Sequence, residues 1–259
     1  MSVKHILLIF FLIIIPCSVQ AEMYLRGEDT RTLPPEQLWG ERKSWGLDFD
    51  LGGQYYKGNV DMTYLAVTSG AFKKFDRHSF YVHGNSIFQK WSGQTIFNQM
   101  QGIFRYDFSL TDKFKLFAFS THGHNKFTRL HYRTSNGIGP WYDFFYKNIK
   151  NGVSIAPTQN SEWYISNGKD HYLSLSFRNL FELALSKHVK IGSDIFVMPR
   201  LTRWEDLQFY GSAYIQTLIY KDLLSLKLSF VDEYDTNPQP GIEKNDMHIA
   251  TSLMFHVGK

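Results

Sequence analysis

The string LHYRTSNG, residues 130–137, holds a histidine and a serine of the kind a hydrolase couples. A serine hydroxyl becomes a nucleophile when a histidine within hydrogen-bond reach takes its proton. His131 and Ser135 are four positions apart. On an extended strand that separation is roughly 13 Å, at about 3.3 Å per residue. The two cannot form the dyad by themselves, and Ser135-Asn136-Gly137 reads as ordinary strand and turn sequence. A second string, His122-Gly123-His124, could set two imidazoles on one face, with His131 or His171 arriving from neighbouring segments to complete a zinc site. The simpler reading is a solvated loop of polar residues, and no metal or cofactor is expected.

A larger set of chemically capable residues falls at alternate positions within apolar segments. These are Asp48, Asp50, Gln54, Arg105, Asp107, Arg133, Arg178, Glu182, Asp194, Lys227 and Glu233. If they share the inside of a closed sheet, they have two uses. They can line a narrow water-filled path in which rings of charge set selectivity. Alternatively they pair with one another and fill the interior. A soluble β-sandwich would bury few of them, because an unpaired buried charge is prohibitively costly.

The segments that must position them alternate with period two. In DLLSLKLSFVDEY, Leu224, Leu226, Leu228 and Phe230 point one way and Ser225, Lys227, Ser229, Val231 and Glu233 the other. Trp45, Leu47, Phe49 and Leu51 repeat the pattern, as do Met100 to Ser109 and Leu173 to Arg178. Twelve such segments are expected, near 44–57, 60–72, 78–91, 96–110, 114–122, 128–141, 151–158, 170–185, 189–201, 207–220, 223–234 and 246–257. Tight polar turns SLTDKF, LSKHVK and YKDL alternate with longer connections THGHNKFT, TQNSEWYISNGKDH and DTNPQPGIEK. Short KGN and long DFFYKNIKNG break that alternation. An alternation of short and long connections suits a membrane barrel with short periplasmic turns and longer external loops.

Composition selects lipid over a protein core as the neighbour of the leucine face. Aromatic residues make up 17% of the chain against 20% charged ones, more rings than a soluble domain of this size needs. Trp45, Trp91, Trp141 and Trp204, with Tyr56, Tyr142, Tyr210, Tyr220 and Tyr234, fall near segment ends, as interfacial girdles require. The segments also reach the ten or so residues that cross a bilayer with tilt.

The first residues fit the same compartment. Lys4 and His5 precede the apolar run Ile6 to Ile15, and small residues follow to Ala21, so residues 1–21 read as a cleaved signal peptide. Cys17 is the only cysteine, which leaves the mature chain without disulfides or thiolate metal sites. Residues 22–43 read as an irregular extension with Pro34-Pro35, and 44–259 as one barrel domain. The chain has 28 Lys and Arg, of which Lys4 leaves with the leader, against 24 Asp and Glu. So small an excess, without basic runs, gives no reason to expect a nucleic-acid partner.

Three stretches carry a family resemblance: GNVD (58–61), RYDFSLTDKFKLFAF (105–119) and LSLKLSFVDEYDTNPQPGIEKND (224–246). Together they resemble the YdiY-like family, whose members are labelled salt-induced outer-membrane proteins and carry a domain of unknown function. The likeness extends over residues 44–257. It implies an outer-membrane β-barrel of unestablished biochemical role. Such chains usually end on an aromatic residue that serves as an assembly signal. Here Leu253, Phe255 and Val257 alternate correctly, but Gly258-Lys259 follow.

The expectation is therefore an all-β protein: an antiparallel transmembrane β-barrel of about twelve strands in the outer membrane of a Gram-negative cell. Its expected role is that of a non-enzymatic envelope protein or a small, weakly selective pore. Expected partners are outer-membrane lipid, the barrel-assembly machinery and small solutes or ions, with the chain a monomer. Two other classes stay open: a barrel hydrolase, which needs a Ser-His or carboxylate-His cluster that folding brings together, and a periplasmic β-sandwich binding module.

Overall fold

The structure is a computed structural model that describes residues 44–56, 62–91, 94–125, 129–165, 168–221, 223–238 and 244–258. The signal peptide and the extension read at 1–21 and 22–43 lie outside the described residues. So do the side chains of Gln54, Tyr56 and Trp91.

Twelve strands form a closed antiparallel barrel in which every strand pairs with its sequence neighbour and the last returns to the first. They are β1 (Trp45–Tyr56), β2 (Met62–Phe75), β3 (His78–Trp91), β4 (Gln94–Ser109), β5 (Phe114–Asn125) and β6 (Leu130–Tyr146). The second half holds β7 (Ile149–Tyr164), β8 (Gly168–Ala184), β9 (Val189–Arg200), β10 (Arg203–Tyr220), β11 (Leu224–Asp235) and β12 (Asn245–Gly258). Closure removes the sheet edge, and in lipid every backbone group must find a partner within the sheet.

Two expected connections are absorbed into strands. DFFYKNIKNG contracts to a two-residue turn at Lys147–Asn148, with Lys147 in the left-handed region at φ 51°. TQNSEWYISNGKDH is mostly strand, because β7 runs to Tyr164 and β8 starts at Gly168. Polar residues mark loops only when both faces of a strand want apolar groups. Thr158, Asn160 and Glu162 instead point into a polar interior, where all three are buried. The expected alternation of short and long connections is correspondingly weaker, and the longest gap falls between Asp235 and Asn245.

The outer face is an apolar belt. Leu47, Phe49, Leu51, Phe104, Ile138, Ile155, Phe177, Ile195 and Phe230 are all exposed, and Leu228 is 44% exposed. Exposure of this extent is untenable in water and is what a hydrocarbon-facing barrel wall presents. Trp204, Tyr142, Tyr220 and Tyr234 are exposed near strand ends. Trp141 and Tyr210 do not belong with them. Trp141 is 3% exposed and points inward, where its indole N–H donates to Asp143 Oδ1 at 2.7 Å. Tyr210 sits opposite Phe196 and Glu233, both inward and buried. Strand-end position does not decide which face a ring occupies; parity does.

Inside, rings lie over glycines on neighbouring strands. A Cβ on Gly46 would run into Phe72, on Gly137 into Phe119, on Gly152 into Trp141 and on Gly192 into Tyr214. Each missing side chain makes room for an aromatic one, which packs the inner wall and rescues the glycine's weak strand preference. Phe117, Phe119, Trp141, Ala156 and Leu180 form an apolar plug in this interior.

Candidate functional site

The chemically capable side chains gather in the lumen. Every sequence-selected charge lies on an inward face, and most have a partner. Arg105 Nε donates to Asp107 Oδ1 at 2.6 Å two residues along β4, and its guanidinium stacks over Phe117 and Trp141 at 4.5 and 5.1 Å. Arg178 on β8 grips Asp194 on β9 with both prongs, Nε to Oδ1 at 2.8 Å and Nη2 to Oδ2 at 2.6 Å. This fork geometry is the strongest form of the contact. Glu182 does not pair with Arg178; it accepts from Lys190 Nζ at 2.6 Å and from the Tyr214 hydroxyl at 2.7 Å. Lys227 extends its ammonium over the Tyr214 ring at 4.6 Å. Glu233, three inward positions further along β11, is buried. The four side chains Arg178, Asp194, Lys190 and Glu182 are all buried. Pairing offsets the desolvation that any one of them would suffer alone.

A second cluster occupies the opposite end from the chain termini. Arg133 on β6 faces Glu162 on β7 in register and forms an ion pair with it. The hydroxyls of Tyr164 and Tyr172 donate to the same carboxylate, Tyr172 at 2.7 Å. Arg200 lies 3.8 Å over the Tyr172 ring and holds Asp170 at 2.8 Å and Asp206 at 3.3 Å.

A third arrangement crosses the seam where the barrel closes. Gln216 Nε2 donates to Ser225 Oγ at 2.8 Å, Ser225 lies 3.1 Å from His256 Nε2, and His256 Nδ1 lies 2.6 Å from Asp48 Oδ1. Beside it Ser252 Oγ donates to Asp50 Oδ2 at 3.2 Å. Serine, histidine and aspartate here have the connectivity of an acyl-transfer triad. The setting differs from one: Ser225 is 0% exposed, and its oxygen already accepts from Gln216. A reacting carbonyl has no approach to that oxygen.

The histidine strings go elsewhere. His131 is exposed beside the irregularity between Leu130 and Tyr132, while Ser135 is fully buried and donates to Asn160 Oδ1 at 2.7 Å. His122 bonds the Tyr132 hydroxyl at 2.6 Å and Ser120 at 2.9 Å. His171 bonds Ser161 at 2.8 Å. Among the described residues no three His, Cys, Asp or Glu side chains converge as a metal site would need.

Several lumen residues were missed in the sequence. Glu162 and Asp170 lie in a stretch read as a loop. Lys190 shares strand parity with Asp194, and Lys115, which pairs with Asp143 at 3.1 Å, shares it with Phe117 and Phe119. Parity alone could have found both lysines. Nothing local could have joined His256 to Asp48, which the alternation had already set inward, because the two meet only when the last strand reaches the first.

The family model described as "Protein of unknown function, DUF481" matches residues 49–257. No curated protein matches the chain. Among solved structures the chain is similar to the NanC porin, with TM-score 0.52 and 10% identity over 82% of this chain and 99% of that one. It is also similar to the KdgM porin solved with disordered oligogalacturonate, with TM-score 0.49 and 6% identity over 81% and 98%. At such identities the first likeness speaks for the fold, an outer-membrane barrel, and for nothing finer.

Proposed function

We propose that this chain, which belongs to the DUF481 family of proteins of unknown function, is a non-enzymatic outer-membrane barrel with a narrow and weakly selective conductance. The observation that carries this reading is the buried crossing of Arg178–Asp194 and Lys190–Glu182 between β8 and β9. Two cations and two anions, neutralised in pairs, make a constriction without net charge. Such a constriction hinders ions of both signs and favours neither, unlike the single-sign rings of a selective pore. The signal-peptide pattern and the apolar belt support an outer-membrane location, with lipid and the barrel-assembly machinery as partners. The hydrolase reading has only the Gln216–Ser225–His256–Asp48 chain behind it, and the burial of Ser225 speaks against its use as a nucleophile.

Single-channel recording in a planar bilayer tests the proposal. The wild-type protein passes a small current with little preference between cation and anion. Replacing both Arg178 and Asp194 with alanine removes the fork without stranding a charge, and the current rises. If the wild type and the double variant are both silent, the barrel is a closed envelope protein and the pore reading fails.

A further inference from the structure

The apolar belt of the outer wall gives way to a polar island on β5 to β8. Ile138, Ile155 and Phe177 are exposed below it. Toward the end where β6 begins, Asn136 stands between Ser120 on β5 and Gln159 on β7. Two residues further along, the direct neighbours are His122, Thr134, Ser161 and His171. Tyr132, Trp163 and Lys169 close the patch above them. These positions alternate with buried, inward ones such as Thr121, Ser135, Asn160 and Glu162, so they face outward. On β12, by contrast, Met247 and Ile249 near the same end are apolar and exposed. The longest connection, between Asp235 and Asn245, also lies at that end, which marks it as the external side.

Hydrogen bonds fix much of this surface. The Tyr132 hydroxyl lies 2.6 Å from His122 Nδ1, and His122 Nε2 lies 2.9 Å from Ser120 Oγ. Ser120 in turn donates to Asn136 Oδ1 at 2.7 Å, which leaves the amide hydrogens of Asn136 unspent beside the exposed Gln159. His171 Nδ1 lies 2.8 Å from Ser161 Oγ, and Lys169 Nζ stands 5.7 Å from the centre of the Trp163 ring. Polar groups on a lipid-facing wall are costly and persist where they have a use. Hydrocarbon keeps bulk water from the wall below the island, so what covers both is an amphiphile. Lys169 is exposed, whereas the described carboxylates of β5 to β8, Asp143, Glu162, Asp170 and Glu182, all turn inward to cationic partners. That surface suits an anion. A second copy of the chain would present the same carboxylate-free face and gain no ion pair.

We propose that the island docks the phosphorylated sugar headgroup of an outer-leaflet glycolipid. Lys169, with His171 beside it, takes a phosphate, and the amides of Asn136 and Gln159 exchange hydrogen bonds with ring hydroxyls. The acyl chains lie along Ile138, Ile155 and Phe177. Width decides between lipids. From β5 to β8 there are three strand spacings of about 4.8 Å, roughly 14 Å in all. That span exceeds a glycerophosphate headgroup and suits two linked sugars. The site rests on the outer-membrane location proposed above and needs no current through the barrel.

The test is native mass spectrometry of the full-length barrel, folded into phosphatidylcholine vesicles and released in mild detergent. The vesicles carry equal amounts of bisphosphorylated lipid A and phosphatidylglycerol. The wild type retains lipid A in preference to phosphatidylglycerol, and holds it less well when its phosphates have been removed. Lys169→Gln with His171→Gln loses the preference for the phosphorylated form. Asn136→Leu with Gln159→Leu, a change that suits a lipid-facing wall, loses lipid A. Lys90→Gln, at an exposed lysine near the same end of β3, changes nothing. Phosphatidylglycerol held as readily as lipid A, or lipid A held unchanged by either double variant, overturns the assignment. A dimer mass that the variants abolish gives the island to a second copy instead. A barrel that enters no vesicle refutes the outer-membrane location, whereas an electrically silent barrel that retains lipid A refutes only the pore reading.

Discussion

The wall formed by β6, β7 and β8 and the seam between β12 and β1 complete the same barrel by different means. In the wall, the β7–β8 ladder runs in unbroken register from Ile149↔Leu183 to Tyr164↔Gly168. At the seam, register covers only Gly46↔Gly258 to Leu51↔Leu253, although β1 continues to Tyr56 and β12 begins at Asn245. Both carry a buried side-chain relay. Ser135, Asn160 and Ser174 link β6, β7 and β8 at 2.7 and 2.6 Å. Gln216, Ser225, His256 and Asp48 link β10, β11, β12 and β1. A short turn fixes register in the wall at little entropic cost, so its relay is supplementary. The seam joins residues at the two ends of the domain with no turn between them. There the side chains carry part of what a ladder would otherwise supply.

The largest effect should fail to distinguish the two regions, because lipid touches both alike. An arginine replacing Leu228, one strand from the seam, or Phe177 in the wall meets hydrocarbon near mid-strand. Each should cost about 2–4 kcal/mol in reversible unfolding from vesicles followed by tryptophan fluorescence. Lys227→Gln, on the inner face beside Leu228, should cost much less. A Leu228→Arg variant as mild as Lys227→Gln would place that leucine face outside lipid.

Next in size come the glycines under rings. Gly152→Ala in the wall must displace Trp141, which Asp143 and Arg105 hold in place. Gly46→Ala at the seam must displace Phe72, whose ring stacks only loosely on Tyr81 at 6.2 Å between centroids. Overpacking of this kind costs about 1–3 kcal/mol, and the wall variant should stand at the upper end. Equal losses would mean that the seam interior is as rigid as the wall.

The relays separate the regions most directly. His256→Ala and Asn160→Ala each remove buried hydrogen bonds worth about 1 kcal/mol. Amide hydrogen exchange should accelerate across β1 and β12 in His256→Ala, whereas Asn160→Ala should leave β6 to β8 protected by their ladders. If both variants leave their strands equally protected, the relay does not hold the seam.

The smallest effect is expected at the end of β12. Deleting Gly258 and Lys259 while changing Val257 to phenylalanine removes one rung, Gly46↔Gly258. It also gives the chain the aromatic end that the assembly machinery is proposed to read. Assembly in cells, followed by heat-modifiable migration on gels, should be no worse than wild type. A clear loss would show that the last rung of the seam outweighs the terminal residue.

Strand count, parity and the lipid face were fixed by local chemistry and could be read without coordinates. Leu228 and Lys227 fall on opposite faces because the pleat repeats every two residues, and a turn of two to four residues leaves little freedom in how neighbours pair. The boundaries of β7 were not legible, since Asn160 and Glu162 look like loop residues until the interior is known to be polar. Trp141 was misplaced for the related reason that a ring at a strand end suits an interface and a packed lumen equally well. Tertiary structure alone decided the partners. Arg178 and Glu182 share a face of β8 four residues apart, and the register of β8 against β9 gave each a partner on β9, Asp194 and Lys190. Closure joined Asp48 to His256, and the register of β6 against β7 set Arg133 beside Glu162. Those outcomes depend on where distant strands come to rest against one another, and the distance between residues in the chain holds no record of it.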